Sequence, residues 1–526
     1  MGKAIGIDFG TTNTVVTYMH GINFKHLRLG SSVLIPTQLH FLSRDEYEFG
    51  AKAKSMNITN GSAGLRGFKT RLGDRSASDE VTPSKGDKSF RIVPKVATKF
   101  FLNKVAQAIG NQLIKEFGAA EGVLDKMVVT VPAKFNQVER EAIRKAAMEA
   151  IGATDKNAVK LVLEPTAAAI AAMYEDGDEA ETVAVYDFGG GTFDVSLIKK
   201  ERGVFRQIDS DGDKNLGGNT LTQKLMARLL EKANDDFGTE LPLDPDEFDE
   251  DIHNMSMNKY KESMNNLWNS ANRGKEELSE EDEIESDVNF YIEENENEYF
   301  NWNLDRADLE DLLQDEIKRS VDITCKLIDK YKDELQIDKL VLAGGSSRIP
   351  MIRKMLQERL PDLPISANEN VSTLISRGAA ILAQRMDEIT DLTSQKTTTK
   401  IGVSASEGVQ FNKFQPIIAE NQPLPVEGSK EFSLVRDGQE SLKISYYEYD
   451  VNKNPDAIYI SDDGIQEVDT LTISLPPNLN RDATRVIVSF KIDKDGTQTI
   501  SAQVKDLDDR LLCDGNLEIT MASDLG

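Results

Sequence analysis

Two short segments of this sequence share one pattern, and that repeat constrains the fold more than any other feature. The motif D-F-G-T-T at 8–12 follows the apolar residues 4–7, and D-F-G-G-G-T at 187–192 follows the apolar residues 183–186. Each copy predicts a buried strand, an acidic residue, a Gly/Thr turn and a return strand. The two copies therefore predict two similar lobes of an α/β fold that hold one ligand between them.

The chemistry of the repeated turn suits a nucleotide phosphate. Glycines let the backbone approach a phosphate closely, and consecutive N–H groups with Thr hydroxyls can bind its oxygens. The aspartates that precede the two turns, Asp8 and Asp187, can hold a hydrated Mg²⁺, which prefers oxygen ligands. A single turn of this kind is often purely structural, whereas the matched pair predicts nucleotide binding.

Composition disfavours several classes of protein. A chain of 526 residues exceeds one hydrophobic core, so several domains are expected. The net charge of −27 disfavours nucleic acid and anionic lipid as partners. Cys325 and Cys513 are far apart in sequence and suggest neither a disulfide framework nor a zinc site. No apolar run is long enough to cross a membrane, and the chain enters a predicted strand at once. No signal peptide and a cytoplasmic location are therefore expected.

The chain divides into three parts by pattern. Residues 1–386 alternate strand and helix signals, which predicts an α/β domain. Residues 387–399 are polar and aperiodic and predict a linker. Residues 400–526 show period-2 alternation, as in 486–492 and 500–504, and predict an all-β sandwich.

Two segments of the first part receive specific predictions. The Ala-, Glu-, Arg- and Lys-rich stretch 138–151 predicts an exposed amphipathic helix. The acidic stretch 276–287 predicts a solvated helix end followed by a loop.

Three further features are ambiguous from the residues alone. The turn at 343–348 leads a strand through Gly344 and Gly345 into a helix, which suits ribose or phosphate but also occurs as a plain tight connection. Lys69 has the pattern of an ordinary surface lysine, and Glu164 before Pro165 can simply begin a helix.

Taken in order, these motifs closely resemble the seventy-kilodalton heat-shock chaperone family of the DnaK type, which belongs to the actin-like ATPases. The resemblance spans residues 3–385 and is weaker over 397–526. The segments that carry it are I-G-I-D-F-G-T-T-N-T at 5–14, V-V-T-V-P-A-K-F-N at 128–136, L-E-P-T-A-A-A at 163–169, V-Y-D-F-G-G-G-T-F-D-V at 185–195, G-D-K-N-L-G-G-N at 212–219 and A-G-G-S-S-R-I-P at 343–350.

The resemblance implies the cofactors ATP or ADP and Mg²⁺, with K⁺ as a further candidate ion. It assigns catalysis to Asp8, Lys69, Glu164, Asp187 and Thr192, with Lys69 positioning the attacking water and the two aspartates holding the metal through water. The implied nucleotide contacts are Gly10, Thr11, Thr12, Asn13, Gly189, Gly190, Gly191, Gly217, Gly218, Lys275, Ser279, Gly344, Gly345, Ser346 and Arg348. Pro132 and Arg140 match residues that couple nucleotide state to the interdomain contact.

The resemblance implies an ATP-dependent chaperone that binds and releases unfolded or extended polypeptide. A J-domain co-chaperone and a nucleotide exchange factor are the implied partners. A nucleotide-dependent peptide-binding scaffold with little ATP turnover is the alternative. A small-molecule kinase on the same fold would leave the β-domain without a purpose.

The sequence also departs from the family pattern. Asn272 stands where an acidic residue usually contacts the ribose, and Val371 and Ser372 replace a Pro-Asp pair after Asn370. The linker at 391–395 is polar where the family has a leucine-rich stretch. The helical lid that usually follows the β-domain has no predicted counterpart, so a lidless or truncated member is expected.

Overall fold

The computed structural model describes residues 3–74, 76–86, 88–133, 135–175, 181–201, 204–366, 371–386, 393–394, 397, 399–407, 410–420, 422–451, 454–493 and 498–518. The chain divides into two compact units. The first unit comprises Met1–Val131, Ala146–Arg202 and Ile208–Arg385, and the second comprises Pro132–Lys145, Gly203–Gln207 and Met386–Gly526. The predicted linker lies mostly outside the described residues, as do Asn370 and the tip of the turn after 493.

Strands and helices alternate along the first part of the chain. Its strands are β1 (Lys3–Phe9), β2 (Asn13–His20), β3 (Asn23–His26), β4 (Ile35–Pro36), β5 (Gln38–Phe41), β6 (Tyr47–Phe49), β7 (Gly64–Arg66), β8 (Asp79–Val81), β9 (Phe90–Ile92), β10 (Leu124–Val131), β11 (Val159–Leu163), β12 (Thr182–Phe188), β13 (Phe193–Glu201), β14 (Val204–Asp213), β15 (Glu283–Glu293), β16 (Glu296–Asp305) and β17 (Lys339–Ala343). Its helices are α1 (Gly50–Thr59), α2 (Pro94–Phe117), α3 (Gln137–Ala150), α4 (Glu164–Glu175), α5 (Gly218–Phe237), α6 (Glu250–His253), α7 (Met257–Glu277), α8 (Arg306–Tyr331), α9 (Pro350–Arg359) and α10 (Val371–Gln384).

The two copies of the sequence motif occupy equivalent places in two sheets of the first unit. One sheet runs β11–β10–β1–β2–β3 and the other includes β17–β12–β13–β14. In each, the motif strand pairs with its own return strand in antiparallel fashion, so that Asp8 faces Val15 and Asp187 faces Asp194. In each, it also pairs in parallel with a strand from later in the chain, β10 or β17. The predicted strands of both hairpins are confirmed.

The later part of the chain forms strands of the second unit that pair in antiparallel fashion, except for the first, which pairs in parallel with β14. They are β18 (Thr393–Ser394), β19 (Lys400–Glu407), β20 (Gln410–Ile418), β21 (Val426–Ser433), β22 (Ser441–Tyr449), β23 (Ile465–Ser474), β24 (Thr484–Ile492), β25 (Gln498–Asp506) and β26 (Leu511–Glu518). Two sheets, ordered β20–β19–β22–β23 and β21–β24–β25–β26, bury a shared core that includes Val486, Val488, Phe490, Ile500 and Val504. The period-2 prediction is confirmed because these alternate residues face inward.

One sequence prediction was wrong, and a second was wrong in part. Helix α3 exists, but most of its described side chains are buried rather than exposed. Val138 of α3 belongs to the apolar core of the sandwich strands in the second unit. The acidic stretch 276–287 begins with the exposed end of α7 and a short turn, as predicted, but from Glu283 it is the start of β15, a long strand that pairs with β16. Residues Ile284, Val288 and Phe290 alternate inward along β15, so its acids occupy the outer face.

Among the described residues, no helix has both the length and the apolar character needed to span a bilayer.

Candidate functional site

The turns of the two motif hairpins lie against each other in the first unit. A Cβ placed on Gly190 would lie 2.2 Å from the Thr12 hydroxyl oxygen, and one on Gly191 would lie 3.0 Å from the Thr11 hydroxyl oxygen. The Thr12 hydroxyl also lies 3.4 Å from the Asn219 amide oxygen. A side chain larger than hydrogen at these glycines would fill the space between the turns. With glycine there, backbone N–H groups and Thr hydroxyls face a shared gap.

The first turn has a defined backbone path. A Cβ on Gly10 would lie 2.1 Å from the Asn13 carbonyl oxygen, so a larger residue does not fit this turn. Thr37 fastens the same turn, because its hydroxyl donates to the Gly10 carbonyl (2.8 Å) and its N–H donates to the Thr12 carbonyl (2.8 Å). The turn is therefore preorganised before any ligand binds.

Four of the predicted catalytic residues form one buried cluster at the strand ends. The Lys69 ammonium donates to Glu164 Oε1 at 2.8 Å and is almost completely buried. Burial raises the pKa of Asp8 to about 7, and the nearby Glu164 carboxylate adds to this shift. Burial also raises the pKa of Asp187 well above its usual value, and the carboxylates of Glu164 and Asp8 raise it further. The cluster thus places three carboxyl groups around one ammonium in a desolvated place.

Local backbone features position the ion pair of this cluster. Lys69 lies in a short 3₁₀ helix, Phe68–Arg71, that follows Gly67 in the left-handed region (φ 67°). Glu164 is the first residue of α4, directly after the buried strand β11, and Pro165 suits the first turn. Neither feature identifies a catalytic role from sequence, since the two residues meet only in the fold.

The donor set of the cluster fits a hydrated Mg²⁺. Among the described residues, no group of three or more His, Cys, Asp and Glu side chains is arranged to ligate a metal ion directly. Mg²⁺ commonly keeps several waters and uses one or two carboxylates with phosphate oxygens. Asp8 and Asp187 match that pattern, because burial and neighbouring carboxylates raise their pKa values and a cation there would stabilise their charged forms.

The third predicted turn joins the second hairpin. Gly344 has φ 79°, and a Cβ there would lie 2.4 Å from the Phe188 carbonyl oxygen and 2.6 Å from Asp187 Oδ1. The Ser346 hydroxyl donates to the Gly189 carbonyl at 3.1 Å, and the Gly218 N–H donates to the same carbonyl at 2.9 Å. The turns after β12, before α5 and after β17 are therefore bound together around one glycine-lined region.

Lys275 also belongs to this region. Its ammonium donates to the Gly218 carbonyl and to the Thr222 hydroxyl, both at 2.8 Å. Burial lowers the pKa of Lys275 to about 8. Its two bonds link α7 to the first turn of α5, next to the turn that carries Ser346.

The other predicted nucleotide contacts on this side have partners of their own. The Ser279 hydroxyl donates to the Lys275 carbonyl at 3.2 Å, and Arg348 forms an ion pair with Glu280 at 2.5 Å. A Cβ on Gly345 would meet no atom within 4 Å, so that turn residue faces open space.

Asn272, the residue that departs from the family pattern, lies beside this region. Its amide oxygen accepts a hydrogen bond from the Thr222 hydroxyl (3.1 Å), and its amide nitrogen donates to Glu276 Oε1 (2.9 Å). A carboxylate is therefore present one helical turn after the position where the sequence lacks one.

Pro132 and Arg140 belong to the second unit, whereas the glycine-rich turns described above belong to the first unit. Arg140 is buried, and its guanidinium donates to the carbonyls of Phe135 (2.8 Å) and Ala133 (3.2 Å). Burial lowers the pKa of Arg140 to about 10, and the Glu448 carboxylate of β22 opposes this shift. The segment that carries Pro132 and Arg140 is thus electrostatically linked to the sandwich strands.

Sequence reasoning missed several residues of the cluster. The Thr130 hydroxyl donates to Asp8 Oδ1 at 3.2 Å, and the Thr192 hydroxyl donates to Asp194 Oδ2 at 3.1 Å. Asp194 could have been found, since a two-stranded pairing of residues 182–188 with 193–199 places it opposite Asp187. Thr130 lies on a strand distant in sequence, and no local signal indicates its contact.

Comparisons with known proteins agree with the motifs. A sequence model of a family described as "Hsp70 protein" matches residues 4–511. The chain is 29% identical over 524 residues to "Heat shock protein hsp-6" of Caenorhabditis elegans, covering 95% of this chain and 74% of that protein. It is 28% identical over 521 residues to "Chaperone protein DnaK" of Anaplasma marginale (strain St. Maries), covering 96% and 75% of the two chains. The protein of the same name from Thermosipho africanus (strain TCF52B) is 28% identical over 520 residues, covering 95% and 77%.

The family model covers nearly the whole chain, and relatives across three organisms match it along almost its full length. Members of this family bind ATP and ADP, and they carry an actin-like ATPase domain followed by a β-sandwich domain for substrates. The chain belongs to the Hsp70 family and is an ATP-dependent chaperone with ATPase activity.

Proposed function

We propose that this chain hydrolyses Mg-ATP at the cluster of turns and that the bound nucleotide sets the affinity of the sandwich for extended apolar polypeptide. The observation that carries this proposal is the buried Lys69–Glu164 ion pair beside Asp8 and Asp187. A buried ammonium among carboxylates, next to glycine-lined turns, suits the alignment of water against a phosphoryl group.

The proposal assigns residues 1–386 to an actin-like nucleotide-binding domain with two lobes, 387–399 to the linker and 400–526 to the peptide-binding domain. The duplicated hairpin sheets support the two-lobed reading, since each sheet would form the core of one lobe. The paired antiparallel sheets after residue 400 support a separate binding domain.

The residues of the turns and of the buried group around Lys69 have different roles in hydrolysis. The N–H groups and hydroxyls of the two hairpin turns hold the phosphates, with the Lys275 region and the Ser346 turn on the adenosine side. Lys69 orients the attacking water, Glu164 fixes the Lys69 ammonium, and Asp8 and Asp187 hold water at the strand ends. Bound Mg²⁺ supplies neutralisation of phosphate charge, and K⁺ is a further ion in the proposal.

Coupling is assigned to the segment that carries Pro132 and Arg140 together with the linker. β18 of the linker pairs in parallel with the start of β14, Phe205 with Thr393 and Arg206 with Ser394, which gives the linker a backbone attachment. Main-chain hydrogen bonds and side-chain pockets are the expected means of holding an extended polypeptide.

A J-domain co-chaperone and a nucleotide exchange factor complete the proposed partners. A cytoplasmic location is part of this proposal.

Single-turnover hydrolysis tests the catalytic half of the proposal. Lys69→Ala should lower the rate of γ-phosphate release about 100-fold or more, because the water loses its orienting cation. Lys52→Ala, which removes an exposed lysine paired with Glu48, should leave the rate unchanged. Equal rates for wild type and Lys69→Ala would favour the alternative, a peptide-binding scaffold with little turnover.

Peptide titration tests the coupling half. The affinity for a fluorescent extended apolar peptide should be lower with ATP than with ADP, because a nucleotide shifts an equilibrium only through differential affinity. Equal affinity in both nucleotides would remove coupling from the proposal and leave the hydrolysis assignment standing.

A further inference from the structure

Part of the sandwich edge is covered by a segment of the chain itself. β20 is the outer strand of its sheet. Residues 457–460 (A-I-Y-I), here called the strap, run antiparallel along that outer edge, with Tyr459 opposite Lys413. The Phe414 N–H donates to the Ile458 carbonyl at 2.8 Å, and the Ile460 N–H donates to the Asn412 carbonyl at 3.0 Å. The strap thus fills main-chain positions that an added strand would use.

Side chains of the strap also contact the sheet. Ala457 and Ile460 pack on an apolar cluster formed by Phe414, Tyr447 and Tyr449. In contrast, Ile458 is half exposed. The strap therefore presents a short extended apolar sequence to the sheet and packs Ala457 and Ile460 against this cluster.

Attachment of the strap depends on one carboxylate. Asp462 accepts the N–H groups of Ile458 (2.8 Å) and Tyr459 (2.9 Å), which fixes the turn that follows the strap. The neighbouring Asp463 accepts only a local bond from the Gly464 N–H (2.9 Å) among the contacts that the structure describes. Among the described residues, two ladder hydrogen bonds, the two bonds to Asp462 and a few apolar contacts hold the strap, so its release requires little local unfolding.

We propose that the outer edge of β20 is a binding site for extended apolar polypeptide and that the strap occupies it as an internal competitor. This inference rests on the proposed peptide-binding function and specifies a site and its regulation. Because the strap must leave before a client strand can pair, the apparent dissociation constant equals the intrinsic one divided by the fraction of molecules with a released strap.

The first test weakens the strap in the full-length protein. The probe is a fluorescein-labelled peptide that copies residues 455–462, P-D-A-I-Y-I-S-D. Asp462→Ala should tighten binding of this probe about fivefold or more, since it raises the released fraction. Asp463→Ala removes the same charge one residue later and should bind within about twofold of wild type.

The second test locks the strap. Lys413 and Tyr459 form a pair that lies between the two ladder hydrogen bonds, a non-hydrogen-bonded site where side chains are close enough for a disulfide. The Lys413→Cys/Tyr459→Cys variant should bind the probe at least about tenfold more weakly when oxidised than when reduced. Lys413→Cys alone controls for the substitution and should show no redox effect. This lock keeps the proposal testable where Asp462→Ala fails to fold.

The outcomes distinguish failure of this inference from failure of the proposed peptide-binding function. Unchanged probe affinity in both Asp462→Ala and the oxidised lock would overturn the strap as competitor. ATP-sensitive binding of an unrelated apolar peptide to wild type would then still support the proposed function. Absence of binding of either peptide to any variant would overturn both.

Discussion

The glycine before α5 gives a sharp test of the packed turns. Gly217 has an extended backbone (φ −160°), so alanine is allowed by its conformation. A Cβ there would lie 2.4 Å from the Gly191 carbonyl carbon and 2.7 Å from the Thr192 N atom. Ordinary contacts begin at about 3.4 Å, so Gly217→Ala must push the second hairpin turn away by about 1 Å. These are backbone atoms, and no side-chain rotation relieves the clash.

A shift of that size should affect catalysis strongly. Displacement of a positioning group by about 1 Å costs up to about 100-fold in rate, which corresponds to about 2.7 kcal/mol of barrier. We expect single-turnover ATP hydrolysis by Gly217→Ala to fall by about 10- to 100-fold.

Gln223→Ala is the control for this experiment. Gln223 lies on α5 six residues after Gly217, and its side chain is exposed. This variant should hydrolyse ATP within about threefold of wild type. Thermal unfolding of both variants checks that the fold persists. A wild-type rate for a folded Gly217→Ala protein would refute the claim that these turns form one preorganised site.

Three further changes test other parts of the molecule. Burial lowers the pKa of His26 to about 4, so the unfolded chain binds the extra proton between pH 4 and about 6.5 and stability rises with pH there. His26→Asn should flatten this part of the stability curve measured by urea unfolding. Phe490→Ala empties a core position of the sandwich and should cost about 3–5 kcal/mol, whereas Val435→Ala at an exposed site should cost less than about 0.5 kcal/mol in the same assay. Arg140→Ala removes the guanidinium that interacts with Glu448 and should reduce the ATP-dependent change in peptide affinity; an unchanged ATP response would contradict the coupling role.

The sequence predicted the parts of the fold that are encoded locally. The motif hairpins and the strands at 339–343 and 484–504 were predictable because apolar runs, alternation and glycine turns act over neighbouring residues. The helix at 350–359 followed from Pro350 after a Gly-rich turn.

The errors came from partners that the local sequence does not reveal. Helix α3 has the charge pattern of an exposed helix, but Val138 packs into the sandwich core and the buried Arg140 interacts with Glu448 of β22, residues far along the chain. β15 was missed because its acids dominate the composition, although Ile284, Val288 and Phe290 already show the period of a strand.

The candidate site was predictable only in part. The glycines and threonines of the turns are visible as motifs, since their chemistry is local. The Lys69–Glu164 ion pair joins residues 95 positions apart, and the contact of Thr130 with Asp8 spans 122 positions. Contacts between residues so far apart depend on the order of strands in the sheet. Lys69 and Glu164 were therefore identified only through the family resemblance, and Thr130 was not identified.

Isothermal titration of the whole chain with ATP, in magnesium and then in EDTA, tests whether the turns bind a magnesium nucleotide. One nucleotide should bind per chain with magnesium, and binding should be much weaker after chelation, because the cation balances the negative charge of the triphosphate beside the carboxyl groups of Asp8 and Asp187. Absence of binding heat for both ATP and ADP in magnesium, from protein that unfolds cooperatively, would contradict this prediction.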